Sequence, residues 1–229
     1  SATRYVSEAF GNYDVIRNER QQLALTGGGS VEYNKSDFNY VSGTGFPTGF
    51  ETYVRNAAAV SSFDGGATEN TLVSYFARAN WSMRDRYLLS ASFRTDGSSR
   101  FGSANRYGQF SAISGAWTLS DESFASVLEK FASLKLRASY GTTGNQGISD
   151  FASRTLATAQ SYTGVTGLAN SQLGNPNLKW ELTKEADFGA DVGLFDGRVN
   201  LIVDWYDRAT SNLLVQRPVP STSGYTSVW

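Results

Sequence analysis

The sequence predicts an all-β fold: about eight long antiparallel strands in up-and-down order, forming a section of a transmembrane β-barrel wall. Three observations predict it. Apolar and polar residues alternate with a period of two through run after run. These runs are roughly 10 to 14 residues long, against about five or six in soluble sheets and about 9 to 11 for a tilted strand crossing a bilayer. The connections between them alternate strictly between short and long.

Taken in order, the first run extends from Tyr5 to Ile16. Leu23, Leu25, Val31 and Tyr33 mark a second, interrupted by Gly27, Gly28 and Gly29, which read as a bulge or kink. Gly27-Gly28-Gly29-Ser30 also hints at a phosphate loop, but the Lys and the helix that such a loop needs do not follow. The third run is the clearest. Thr71, Val73, Tyr75, Ala77, Ala79, Trp81 and Met83 occupy one face, and Ser74, Arg78, Asn80 and Ser82 the other. A tight turn at Arg84, Asp85 and Arg86 makes a hairpin with the fourth, where Tyr87, Leu89, Ala91 and Phe93 alternate with Ser90, Ser92, Arg94 and Asp96. A fifth run covers 107–119. In the sixth, Leu134, Leu136, Ala138 and Tyr140 alternate with Lys135, Arg137, Ser139 and Gly141. The last two runs place Ala186, Phe188, Ala190, Val192 and Leu194, then Val199, Leu201, Val203 and Trp205, opposite Glu185, Asp187, Asp191, Asn200 and Asp204. Ile202 alone breaks that pattern.

Short or compact connections fall at 17–20, 84–86, 120–132 and 195–198, and longer ones at 35–70, 97–105, 145–179 and in the tail. An up-and-down barrel puts every second connection at the same rim, and outer-membrane barrels have short periplasmic turns and long extracellular loops. A Greek-key sandwich gives no reason for this parity. Asp121 to Phe131 reads as one or two helical turns on a short-side connection, with Asp121 and Ser123 as candidate caps. Charges within the clear runs sit on the polar face, except Lys184 and Asp207 near strand ends. A charge facing lipid at mid-depth costs roughly 2–4 kcal/mol. Tyr87, Trp117, Tyr140 and Trp205 fall on the apolar face and suit aromatic girdles.

Composition limits the chemistry. There is no Cys and no His, which excludes a thiol nucleophile, a disulfide framework, a Ser-His-Asp triad and a Cys/His zinc site. The formal charge is −1, with 20 basic and 21 acidic residues and no basic run, so no nucleic-acid partner is expected. No stretch approaches the roughly 20 apolar residues of a membrane helix. The sequence starts Ser1-Ala2-Thr3-Arg4-Tyr5 without a signal peptide, and an internal section of a longer chain is expected.

Candidate sites were weighed against plainer roles. Asp96 to Gly102 could form a ligand or cation loop, but Gly for special dihedrals and Asp and Ser for local bonds favour an ordered turn. Glu185, Asp187 and Asp191 share one strand face, spaced roughly 6–7 Å between alternate residues, too wide for one compact acid pair or Ca²⁺ site. Pairing with Arg or Lys of neighbouring strands is the expected role. The loop 145–179, with Tyr162 and small polar residues, is the best place for substrate contact.

Several runs carry a family resemblance. They are Ser74-Tyr75-Phe76-Ala77-Arg78-Ala79-Asn80, Tyr87 to Arg94, Asp96 to Gly102, Leu134 to Gly141 with Gly144-Asn145-Gln146-Gly147, Asn175-Pro176-Asn177-Leu178-Lys179-Trp180-Glu181, and Asp204-Trp205-Tyr206-Asp207-Arg208. Together, in this order and spacing, they resemble the SusC/RagA family of TonB-dependent outer-membrane transporters, clearly over 71–226 and by pattern alone before that. The resemblance implies a larger, 22-stranded barrel with an N-terminal plug, so residues 1–229 would form part of the barrel domain and would not transport alone. It implies import of oligosaccharides or peptides, TonB as the energy source, a SusD-like surface lipoprotein as partner, outer-membrane lipid around the wall, and neither enzyme activity, metal nor cofactor. Arg78, Arg94, Asp96, Arg100, Arg137, Asn145, Gln146, Tyr162, Asp187 and Asp191 are the candidate cargo contacts in the lumen or at the rim. The rival expectations are a small non-transporting outer-membrane barrel and a soluble carbohydrate-binding β-sandwich.

Overall fold

The computed structural model describes residues 1–49, 53–125, 132–195, 197–225 and 227–229, the side chains of Tyr162 and Ser221 excepted. Its strands are β1 (Ala2–Arg17), β2 (Gln21–Thr44), β3 (Ala59–Met83), β4 (Tyr87–Ser98), β5 (Tyr107–Thr118), β6 (Ala132–Asn145), β7 (Leu156–Tyr162), β8 (Val165–Gln172), β9 (Glu181–Leu194), β10 (Val199–Ser211), and the two-residue β11 (Arg217–Pro218) and β12 (Ser227–Val228). Eight of them form one sheet in the order β1-β2-β3-β4-β5-β6-β9-β10, every neighbour antiparallel. β7 pairs with β8, and β11 with β12, outside it. β1 and β10 are its two edges, so the sheet is an open wall and not a closed barrel.

Register turns the alternation of the sequence into two faces, because directly opposed residues of an antiparallel pair project to the same side. Tyr75 lies opposite Thr95, Ala77 opposite Phe93, Ala79 opposite Ala91 and Trp81 opposite Leu89. The line continues through Ile113 and Tyr140 to Ala186, and through Trp117 and Leu136 to Ala190 and Val203. All four girdle aromatics, Tyr87, Trp117, Tyr140 and Trp205, are on this apolar side. It is uncovered: Tyr75 is 57% exposed, Phe93 46% and Trp205 59%. An apolar surface of this extent needs hydrocarbon or a partner. The other face carries Arg78, Arg94, Lys135, Arg137, Glu185, Asp187, Asp191 and Asp204, with Phe10, Phe76, Leu88, Phe110 and Ile202 among its apolar exceptions.

The structure corrects several expectations. Gly27 to Gly29 neither bulge nor kink the second strand: Gly11, Phe10 and Ala9 of β1, and Ala77, Phe76 and Tyr75 of β3, pair with them in unbroken register. What they allow is close approach, since a Cβ on Gly28 would fall 2.5 Å from the Ala9 carbonyl oxygen. The bulges lie instead between Asp14 and Ile16 and between Ser42 and Gly43. The long connection expected at 35–70 shrinks, because β2 and β3 continue pairing up to Thr44 and Ala59. Beyond Ser36, where β1 begins its pairing, this becomes a bare two-stranded ribbon. Likewise 145–179 contains the β7–β8 hairpin, closed by Thr163 and Gly164 with φ of 48° and 83°.

Of the helical turns expected between Asp121 and Phe131, residues 126–131 lie outside the described part. The rest forms two short 3₁₀ turns, Leu119–Asp121 and Ser123–Ala125. Asp121 ends the first and Ser123 starts the second, so neither stands ahead of its turn as a cap. Glu122, between them, performs the fastening. It accepts hydrogen bonds from the Tyr87 hydroxyl and from Trp117 Nε1 (3.2 Å), and pairs with Arg86 at 3.6 Å. The Tyr87 and Trp117 rings stack at 6.4 Å. The strand ends of β4 and β5 are thereby tied to the short connection.

Two outcomes are expected. Ala91→Arg, on the apolar face, should lower stability in unfolding from lipid vesicles by roughly 2–4 kcal/mol, while Ser92→Arg, one residue along on the wet face, should change it by about 0.5 kcal/mol or less. The hydrogen bonds from Tyr87 and Trp117 hold the Glu122 carboxyl below its ordinary range. Its contribution is therefore complete above the unfolded value, about 4.3, and is lost as pH falls through the lowered folded value. Thermal melts across that acid window should show a steeper loss for the parent chain than for Glu122→Gln.

Candidate functional site

The wet face and the long-loop rim hold every candidate residue, in three separate groups. The first centres on Arg137 of β6. Its guanidinium forks to Asp191 of β9 (Nε–Oδ2 3.1 Å, Nη2–Oδ1 2.9 Å) and to Asp204 of β10 (2.9 Å). The planar fork suits two carboxylates at once. Asp187, one pleat above Gly189 on the same face, lies opposite Ser139 and Tyr206, and no ion pair reaches it among the described residues. The pairing expected for the acidic line of β9 is thus seen for Asp191 and, through Arg208 at 2.8 Å, for Glu185.

Arg78 projects from β3 opposite Thr26 and Ser92. It is exposed and, among the described residues, joins no ion pair. One pleat higher, Arg94 holds Asp96 of its own strand at 2.7 Å and donates to Ser74 Oγ at 2.9 Å. Asp96 and Ser74 are both buried. Arg94, though half exposed, is thus held in a satisfied network, whereas Arg78 is exposed with no ion pair among the described residues.

The rim is built differently. A small core of Phe101, Phe110, Ile148, Ala152, Leu178 and Trp180 sits where three long connections meet. Trp180 packs on Phe101 at 5.2 Å and edge-on to Phe110 at 5.4 Å, and donates its indole N–H to the Arg106 carbonyl at 3.0 Å. Gly102 is required for this closeness, because a Cβ there would collide with the Pro176 carbonyl. Across the core runs one charged tie. Arg100 Nε meets Asp150 Oδ1 at 2.8 Å, Arg100 Nη1 donates to the Gln146 carbonyl at 3.3 Å, and Asn70 of β3 donates to Asp150 at 3.1 Å. Asn145 binds Glu181 of β9 (3.1 Å) and accepts the Gly147 amide (2.9 Å), so it fixes a turn. Gln146 enters through its backbone carbonyl.

Tyr162 ends β7, and its side chain lies outside the described part. Asp150, Asn70, Asp204 and Glu181 complete these clusters without having been singled out from sequence. Asp150 is 50 residues from Arg100, and no local spacing connects them. Asp204 had a signal, since it alternates onto the charged face of its strand. Among the described residues no three acidic side chains converge as a metal cage. The arrangement can bind by charge, hydrogen bonding and aromatic contact.

Comparison with known proteins covers nearly the whole chain. A family model described as TonB dependent receptor-like, beta-barrel, matches residues 2–228. TonB-dependent receptor P39 of Formosa agariphila is 36% identical over 230 residues, 98% of this chain and 22% of its own length. TonB-dependent receptor SusC of Bacteroides thetaiotaomicron is 39% identical over 169 residues, 70% of this chain and 17% of its own. Among solved structures, the RagAB peptide transporter superposes with a TM-score of 0.88 at 28% identity, over 99% of this chain and 26% of that one. The siderophore receptor PirA of Acinetobacter baumannii shares the fold, with a TM-score of 0.54 at 15% identity. The chain spans about a fifth of the length of the curated relatives it matches.

The Arg100–Asp150–Asn70 tie predicts a local effect. Asp150→Ala strands a partly buried guanidinium and should cost about 1–3 kcal/mol. Hydrogen exchange should accelerate in 99–106 and 146–155 while the amides of β4 and β6 stay protected.

Proposed function

Because this chain belongs to the TonB-dependent receptor-like β-barrel family, we propose that it forms eight strands and part of the outer rim of an outer-membrane importer of the SusC/RagA kind, taking up oligosaccharides or peptides. The family is one of outer-membrane barrels, and no described helix is long and apolar enough to cross a membrane, as such a wall needs none. The observation that carries the reading is the two-faced sheet. Its exposed apolar side, flanked by Tyr and Trp, fits lipid; its charged side fits a water-filled interior.

Import in this reading needs no covalent chemistry. Cargo binds at the outer rim and passes along the wet face, with energy supplied through TonB by other parts of the receptor. A SusD-like lipoprotein covers the rim from outside. The rim core holds its loops in place, so Arg100, Asn145 and Gln146 act by positioning the binding surface. Arg78, and with it the open Asp187, offers contact to passing cargo, while Arg94, Asp96, Arg137 and Asp191 shape and charge the wall. The long connection 145–179 with Tyr162 supplies the contact surface at the mouth. Peptide cargo is favoured within this reading by the likeness to the RagAB peptide transporter.

The test uses the intact receptor in its own outer membrane. Uptake of labelled oligopeptide and of labelled oligosaccharide should each depend on TonB for whichever is cargo. Arg78→Glu should lower that uptake by about tenfold, roughly 1.4 kcal/mol, at unchanged receptor abundance. Equal uptake of both solutes with and without the receptor would remove the importer reading.

A further inference from the structure

Among the described residues, the β7–β8 hairpin forms a sheet of its own with no third strand beside it. Arg154 and Lys179 bracket it, and between them the sequence has no charged residue. β8 is exposed along almost its whole length, with Leu168 82% and Val165 70% exposed. Free edges are normally blunted by charge, proline or a bulge, because a row of unpaired backbone groups recruits other strands. The β2–β3 ribbon follows that rule, with Asp37, Asp64 and its own bulge. β7 and β8 have no charge and no proline. Their one irregularity, between Leu156 and Ala157, lies at the foot.

That foot is firmly held. Gln172 Nε2 donates to the carbonyls of Phe151 and Arg154, both at 2.9 Å, and the Gly174 amide bonds Thr155 Oγ1 at 3.2 Å. Leu173, next after β8, takes Val228 as a parallel bridge partner. Ala152, at the base, is fully buried. A preorganised edge at the mouth of an importer offers hydrogen bonds without an ordering cost of its own.

We propose that this edge is a cargo-capture site for extended, uncharged peptide segments, which add to β8 as a further strand. The proposal deepens the importer reading and rests on its peptide branch. Counting from the turn-closing pair Tyr162 and Val165, alternation directs the N–H and C=O groups of Thr166, Leu168 and Asn170 away from β7. An incoming segment pairs with these three, main chain to main chain, so recognition reads backbone and tolerates sequence. The lack of charge on both strands adds no repulsion for any register and no preference for a charged cargo.

The test measures binding of a fluorescent nonapeptide of alternating Val and Thr to the intact receptor in detergent. Three further peptides accompany it: a scrambled one, one N-methylated at alternate amides, and its D-enantiomer. The expected result is equal binding of parent and scrambled peptides and at least about tenfold loss for the other two. Leu168→Pro, which removes an outward N–H without touching the pairing to β7, should lower parent binding similarly. If parent and N-methylated peptides bind alike, strand addition is overturned and the peptide-import reading stands. If no peptide binds while TonB-dependent uptake of oligosaccharide proceeds, both the edge site and the peptide branch are overturned.

Discussion

Hydrocarbon offers no hydrogen bonds, and that single fact organises this chain. Every N–H and C=O that meets lipid must find its partner within the wall. The continuous antiparallel ladder from β1 to β10 is the answer, and its pairing is unbroken except at two bulges. The ladder in turn fixes which residues share a face. Once Ala77 is opposite Phe93, Arg78 must stand opposite Ser92 on the other side, and a slip by one residue would put charges into lipid all along the strand. The cost of such a slip, paid at every pleat, is what makes the register specific.

Much of this was legible in the sequence because a two-sided wall writes itself with period two. The alternation over 71–83 and 87–94 placed β3, β4 and their turn, and the parity of connection lengths placed the rims. The family runs, Asp96 to Gly102 and Asn175 to Glu181 among them, pointed to the same barrel that the comparisons found. What remained hidden has physical reasons. Three consecutive glycines look like a break because strands disfavour them, yet β1 comes close enough at Gly28 that any side chain would collide with it. The continuation of β2 past Ser36 alternates only briefly, through Phe38 and Tyr40, before Val41-Ser42-Gly43-Thr44 loses the pattern. The Arg100–Asp150–Asn70 tie joins residues far apart in sequence, and only the folded loops bring them together.

The rim core explains how long connections can be precise. Six buried residues, five from three connections and Phe110 from β5, form a compact apolar knot, in a protein whose largest apolar surface faces outward. It is a soluble-type core in miniature, roofed by Trp180 and cross-tied by Arg100. Loops anchored this way hold their outermost parts, such as the β7–β8 hairpin, at a defined position above the wall.

The fork at Arg137 has an electrical consequence. One guanidinium answers two carboxylates, and Asp187 lies one pleat away, so with Lys135 alongside the charged face of β6, β9 and β10 keeps a surplus of one negative charge here. Such a surplus is felt over about 8 Å at physiological salt. In the importer proposed above, that surplus disfavours anionic solutes relative to neutral and cationic ones, and raising the ionic strength narrows the difference.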